Sequence, residues 1–341
     1  MTTMLAAAVT QFGKPLELRE IEVPTPGPGQ VLVKVHAVGV CHTDLHAADG
    51  DWDNKPPLPR IPGHEAVGEV VAVGEAVNAV HVGDRVGVPW LHQACGRCEQ
   101  CLTGWETLCP KQKRTGYDVD GGFAEYVLAD PLYLAHLPDS LDYVQAAPLV
   151  CAGVTVYKGL VMTEASAGDW VVISGIGGLG HLAVQYAAAM GFRVVAVDIE
   201  ESKLDLAAKL GATMTVNAAT TDVVGYLQRA IGGAHGVLVT AVGRAAFGQA
   251  IGFTRPGGTI VLNGIPPGEM SMSIFDVVMR AITLRGSIVG TRSDMARALA
   301  LADQCNVRAT IHTARLRDIN DIFRTMRTSS IPGRTVIDTF A

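Results

Sequence analysis

Two textures of hydrophobic and polar positions divide the chain. Up to about residue 150, short runs either alternate or are β-branched, as in Glu17–Glu22, 30–38 and Ala66–Val73. The stretches between them, such as PTPGPGQ and DNKPPLPRIPG, carry turn chemistry. This pattern predicts an irregular β-rich domain or barrel with no repeat period. From Ala152 onward, strand-like runs occur at Trp170–Ser174, Arg193–Asp198, 212–217, 236–242, 259–263 and 283–289. Residues 181–190 and 200–210 have helical spacing between the first three, and each is closed by a glycine, Gly191 or Gly211, in the position that ends helices. Six strands with crossover-sized connections predict a doubly wound parallel sheet. The tail predicts helices at 295–304 and Ile319–Thr328 and a strand at 335–338, pieces that fit no seventh strand and are free to return to the first domain.

Composition narrows the class. The chain has 341 residues, 48% apolar and 18% charged, enough for about two domains of ~150 residues, each with its own core. A net charge of −6 offers no basic field for nucleic acid. MTTMLAAAVTQFGK lacks the basic region and long apolar run of a secretory leader. The longest apolar stretch, 170–197, is interrupted by Gly175, Gly177, Gly178, Gly180, Gln185, Gly191 and Arg193, which argues against a membrane span. A cytoplasmic protein with no membrane partner is expected.

That stretch resolves as strand, turn, helix and strand: WVVIS, then Gly175, Gly177, Gly178, Leu179 and Gly180 in GIGGLG, then a helix and RVVAVD. The glycines permit a tight turn, close backbone approach to a pyrophosphate, and close helix-to-strand packing. The helix N-terminus offers free N–H groups to phosphate. Asp198, 18 residues past Gly180, falls where a carboxylate accepts ribose hydroxyls and repels a 2′-phosphate, favouring NAD over NADP; otherwise it is an ordinary strand-end acid. Lys203 could reach the same ribose or be a solvated helix lysine.

The seven cysteines are an odd set for a disulfide framework. Cys95, Cys98, Cys101 and Cys109 lie within 15 positions and can close tetrahedrally on Zn²⁺ as a structural site. An iron–sulfur cluster is the competing reading, but its motif has three residues before the last cysteine, not seven. Cys41 in CHTDLH, His64 in PGHEAVGE and Cys151 in PLVCAG offer three ligands with one position open, as in a catalytic zinc site. From spacing alone this is a weak signal, because lone cysteines are more often small core residues.

CHTDLHAADGDW, PGHEAVGEVV, PWLHQACGRCEQC, PLVCAGVTVYKGL, GIGGLG, GSIVGTR and PGRTVID together resemble the zinc-dependent medium-chain alcohol dehydrogenases, and within them the tetrameric microbial enzymes. The resemblance covers essentially the whole chain. It implies a GroES-like β-rich catalytic domain, residues 1–150 and 290–341, around a Rossmann domain, residues 151–289. It also implies two zinc ions per chain, the catalytic one on Cys41, His64 and Cys151 and the structural one on the four clustered cysteines. The activity implied is NAD-linked, reversible oxidation of primary, ethanol-like alcohols to aldehydes, by hydride transfer from a zinc-bound alkoxide, in a homotetramer. Thr43 and His46 would pass the proton out; otherwise they are a turn residue and a surface histidine. Asp44 would hydrogen-bond His64, and Glu65 would lie behind the zinc or in a plain buried ion pair. His42 and Arg334 match pyrophosphate contacts, and Ser287 and Val289 match positions near the nicotinamide. Thr43, Trp52 and Trp90 match a small-alcohol pocket, although tryptophans are commonly core residues. Cys305 is left over as an inert core thiol. Rival readings are a zinc-free quinone reductase, an NADP-dependent aryl-alcohol reductase and a metal-sensing binding protein.

Overall fold

The computed structural model describes residues 2–328 and 333–340. Pro332 of the PGRTVID segment lies outside them. The chain divides into two compact units: 1–151 with 291–303 and 309–341, and 152–290 with 304–308. Cys151 thus belongs with the first unit. Residues 304–308 belong with the second, because the Gln185 side chain exchanges hydrogen bonds with the Arg308 main chain at 2.8 and 3.0 Å.

In the first unit the strand Val31–Val40 organises a seven-stranded sheet. Its neighbours run in the order Ile311–Arg315, Arg334–Thr339, Val31–Val40, Ala66–Val73, Arg85–Val88, Ala135–His136, with Tyr126–Ala129 also paired to Val31–Val40. The tail strand pairs antiparallel to it, Val336 opposite Gly39. Val33, Val35, Val38, Phe123 and Phe323 are among the buried residues of its core. Smaller ribbons pair Thr3–Ala8 with Glu17–Glu22 and Leu91–Gln93 with Lys113–Arg114.

The second unit holds a six-stranded, all-parallel sheet. Numbered along the chain, Trp170–Ser174, Arg193–Asp198, Met214–Asn217, Ala234–Val239, Thr254–Leu262 and Thr283–Gly286 lie in the order 3-2-1-4-5-6, the doubly wound arrangement that the periodicity predicts. Strand 4 stops at Val239, short of the predicted 242, because the Thr240 and Ala241 amides both turn to the Ser174 carbonyl at 2.9 and 3.0 Å. Strand 6 stops at Gly286, not 289, where Val289 takes a left-handed φ of 49°. Among the described residues one helical run, Tyr143–Val161, is long and apolar enough for a bilayer, but 78% of its window is buried inside the protein, as suits a core helix.

Candidate active site and dinucleotide cradle

In the second unit the first strand ends in the glycine turn. Gly175 has φ 97°, and a Cβ there would meet the Ala241 main chain at 2.6 Å. A Cβ on Gly180 would run into the Gly175 carbonyl, so helix and strand pack this closely only with glycine. Gly177 faces open space within 4 Å, which leaves its main chain approachable by a bulky anion at the start of helix Gly180–Ala189. Asp198 stands at the tip of strand 2. One carboxylate oxygen accepts the Ile176 amide at 2.6 Å, and the other accepts Ile199 and Glu200 amides at 2.8 and 3.1 Å. The carboxylate is therefore fixed beside the glycine turn, with lone pairs left for ribose hydroxyls. This set fits a dinucleotide. Lys203 is largely buried and is paired with Glu200 at 2.7 Å.

In the first unit, Cys41 precedes helix His42–Asp49, which also carries Thr43, Asp44 and His46. His64 follows Gly63, whose φ is 99° and whose Cβ would clash with Phe123. Cys151 sits in a π-helical turn, Leu149–Gly153, directly after Pro148. Proline has no N–H for the helical ladder, and the widened turn is the kind of irregularity that often carries functional side chains. Together these elements bring ligand atoms of Cys41, His64, Glu65 and Cys151 within 4.8 Å of one another.

The surroundings orient the donors. His64 Nδ1 lies 2.7 Å from Asp44 Oδ1, which also accepts the Gly63 amide, while Asp44 Oδ2 accepts the Cys41 amide. The carboxylate thereby fixes the ring with Nε2 turned to Cys151 Sγ, 3.3 Å away. Burial opposes a charged His64, but the Asp44 carboxylate outweighs it and raises the imidazole well above its ordinary value. The Cys41 thiol is pulled well below its ordinary value, chiefly by the hydrogen bond from Cys151, with His64 acting the same way. Burial pushes Glu65 up to about 7 against the pull of Arg334. Glu65 and Arg334 form a buried ion pair, and Glu65 Oε2 and Arg334 Nε have no hydrogen-bond partner among the described residues.

Charge bookkeeping tests whether zinc fits. Buried charges persist only when paired or metal-bound. Glu65 and Arg334 cancel each other, and two thiolates cancel a divalent cation; two sulfurs and one imidazole nitrogen leave a coordination position open. The residues fit a zinc ion of the open, reactive kind.

Cys95, Cys98, Cys101 and Cys109 also converge within 4.8 Å, and all four are free thiols. Tetrahedral Zn–S bonds of about 2.3 Å require sulfurs roughly 3.8 Å apart, and Cys98 and Cys101 stand at 3.5 Å. Amides of Cys95 and Lys111 donate to Cys109 Sγ at 3.4 Å. Amides of Arg97 and Cys98 bring Cys95 down to about 6. N–H groups aimed at sulfur favour thiolates, so this site fits a closed structural zinc.

The other expected residues divide. His46 is half-buried, its Nδ1 2.7 Å from Asp51 Oδ2. Thr43 and His42 share its helix, and the His42 imidazole is lowered from its ordinary value, chiefly by the protein packed around it. Arg334 is committed to Glu65, which leaves Nε as its unsatisfied donor. Trp90 packs edge-on against the His64 ring at 5.1 Å, and Trp52 packs on Trp90 at 6.4 Å. Sequence reasoning missed Tyr117, which contacts both tryptophans, because a lone tyrosine in a glycine-rich turn carries no pattern. It also misplaced Cys305. That thiol is exposed in the turn that follows the helix end at Gln304, where Asn306 takes a φ of 53° before the chain goes back in at Val307.

Comparison with known proteins agrees with both halves of the geometry. Residues 27–139 match the alcohol dehydrogenase GroES-like domain, and residues 178–304 match the zinc-binding dehydrogenase domain. An alcohol dehydrogenase of Moraxella sp. (strain TAE123) is 58% identical over 335 residues, covering 98% of this chain and 99% of its own. Among solved structures, the alcohol dehydrogenase of Aeropyrum pernix superposes with a TM-score of 0.88 at 31% identity, covering 98% of this chain and 99% of its own. An NADP-bound zinc-binding dehydrogenase of Sinorhizobium meliloti superposes with a TM-score of 0.91 at 29% identity, covering 99% of each chain.

Proposed function

The chain belongs to the zinc-binding medium-chain alcohol dehydrogenases, and from that premise we propose that it interconverts short primary alcohols and aldehydes with NAD as the hydride carrier and two zinc ions per chain. A zinc ion on Cys41, His64 and Cys151 would supply a Lewis acid that acidifies an alcohol hydroxyl, and bound NAD⁺ would supply the hydride acceptor. The chain's own residues do the rest. Asp44 holds His64 in one tautomer, so that Nε2 serves as a ligand. The Thr43 hydroxyl can accept the alcohol proton while passing its own onward. His46, half-buried and steadied by Asp51, can release it to water. Asp198 supports NAD over NADP, because its fixed carboxylate repels a 2′-phosphate. His42 and Arg334 are offered as pyrophosphate contacts, Glu65 as an internal ligand during exchange, and a homotetramer as the assembly.

The observation that carries the substrate reading is the indole wall: Trp90 lies against the ligand His64, and Trp52 lies against Trp90. Aromatic bulk at this position leaves room for a short unbranched chain. Each methylene in such a pocket is worth about 1–3 kcal/mol, gained while space lasts and lost afterwards. With NAD⁺, kcat/KM is expected to favour ethanol and propanol over cyclohexanol by at least about tenfold, and Trp52→Ala should raise relative activity on longer alcohols. A wild-type preference for cyclohexanol or a branched secondary alcohol overturns the pocket assignment.

The proton route has its own test. His46→Gln is expected to slow turnover about tenfold and flatten its pH dependence, with zinc content unchanged. An unaltered pH profile removes His46 from the route.

A further inference from the structure

Trp52 sits on a segment with little hold of its own, whereas Trp90 is buried between the paired strands Arg85–Val88 and Leu91–Gln93. Residues 51–55 are exposed apart from Trp52, which is half-buried. The turn at 114–119 joins the exposed segment to the buried one. Its Thr115 amide donates to the Trp90 carbonyl at 2.9 Å, and the Thr115 hydroxyl donates to the Pro89 carbonyl at 2.7 Å. Two residues on, the Tyr117 hydroxyl donates to the Asn54 carbonyl in the Trp52 segment. Tyr117 is 2% exposed, its ring 5.2 Å from Trp52 and 6.1 Å from Trp90.

The turn is itself anchored to the ligand framework. Gly116 has φ 75°, and a Cβ there would meet the Gly63 amide at 2.9 Å, one residue before His64. Asp120 accepts the Ile61 amide at 3.1 Å. Arg114 is clamped by Asp118 through its main-chain N–H, Nε and Nη2 at 2.8, 2.5 and 2.8 Å. Its guanidinium lies 4.3 Å from the Tyr117 ring and 6.0 Å from that of Trp90, close enough for cation–π attraction.

We propose that Tyr117 is a positioning residue for substrate length: its hydroxyl latches the Trp52 segment to the turn that holds Trp90, and so sets the gap between the indoles. The proposal rests on the pocket reading above. Tyr117 acts through the Trp52 ring and its segment. Without the hydroxyl the Asn54 carbonyl turns to water, the Trp52 segment swings more freely, and the pocket admits longer chains.

The test is Tyr117→Phe, which keeps the ring and deletes the latch. In a chain carrying Trp105→Phe and Trp170→Phe, only Trp52 and Trp90 fluoresce. There Tyr117→Phe is expected to raise acrylamide quenching about twofold. In the otherwise wild-type chain it should move the kcat/KM ratio of hexanol to ethanol about fivefold upward, mainly through KM, with zinc content unchanged. Unchanged quenching overturns the latch. Raised quenching with an unchanged length profile, in a protein where Trp52→Ala does shift that profile, overturns the role in specificity. If Trp52→Ala leaves the profile unchanged, the pocket reading itself fails and the specificity role falls with it, while the quenching result still decides whether the latch exists.

Discussion

Cys151→Ser is expected to abolish alcohol oxidation while the chain stays folded, and Cys98→Ser to do nearly the reverse. The Cys151 thiol is buried in a π-helical turn beside His64 Nε2, and serine is a near-isostere there that cannot serve as a thiolate ligand. Losing the Lewis acid removes several kcal/mol of transition-state stabilisation, and about 4 kcal/mol corresponds to roughly a thousandfold in rate. The surrounding core, including Leu149, Val150 and Ala152, is unaffected, so the melting temperature should move little. Cys98 belongs to a different set, a small satellite of buried and half-buried residues with Leu91, Ala94, Cys109 and Tyr133. A lobe with so little apolar core depends on its metal. Cys98→Ser should cost about 3 kcal/mol, lowering Tm by about 6–12 °C in a domain of this size, while kcat at low temperature changes less than about threefold. If the two variants lose activity and stability in the same proportion, the division between a reactive and a structural site is wrong.

The second large effect concerns the cofactor. Asp198→Ala is expected to raise KM for NAD⁺ about 10- to 100-fold, since a hydrogen bond to a charged group is worth about 1.5–3 kcal/mol. KM for NADP⁺ should stay level or fall, because the repulsion of the 2′-phosphate goes with the carboxylate. Asp198 also receives three main-chain amides, so alanine would loosen the Gly175–Gly177 turn as well. Asp198→Asn separates the two effects, keeping an acceptor and the size while removing the charge. It should narrow the NAD⁺/NADP⁺ ratio nearly as far as alanine does. A ratio unchanged in both variants places Asp198 off the ribose.

Much of this was legible before any coordinates. The strands Ala66–Val73, Trp170–Ser174 and Arg193–Asp198 match the sequence reading to the residue, because valine- and isoleucine-rich segments favour extended backbone. The four clustered cysteines and the glycine turn were legible because close spacing itself constrains the geometry. What stayed hidden depends on distance along the chain or on local irregularity. Strand Ile311–Arg315 was missed because it is a half-exposed edge with His312, Thr313 and Arg315 outward, and it lacks the apolar alternation of a core strand. The π turn carrying Cys151 reads as an ordinary apolar run. The Glu65–Arg334 pair joins residues 269 positions apart, and no period records it. Tyr117 was silent for a related reason: its neighbours Trp52, Asn54 and Trp90 come from two distant loops. Ser287 shows the same limit, its hydroxyl buried without a hydrogen-bond partner among the described residues.

The central claim is that two separate zinc ions serve this chain and that the one on Cys41, His64 and Cys151 enables NAD-linked alcohol oxidation. Its most direct test measures zinc per chain together with NADH formation at 340 nm from ethanol, in the wild type and in Cys151→Ser. The account predicts about two zinc ions and a rising absorbance in the wild type, and about one zinc ion with no rise in the variant. Undiminished NADH formation by a Cys151→Ser chain that has lost a zinc ion, or a wild type that turns over with iron on the four-cysteine cluster, would contradict it.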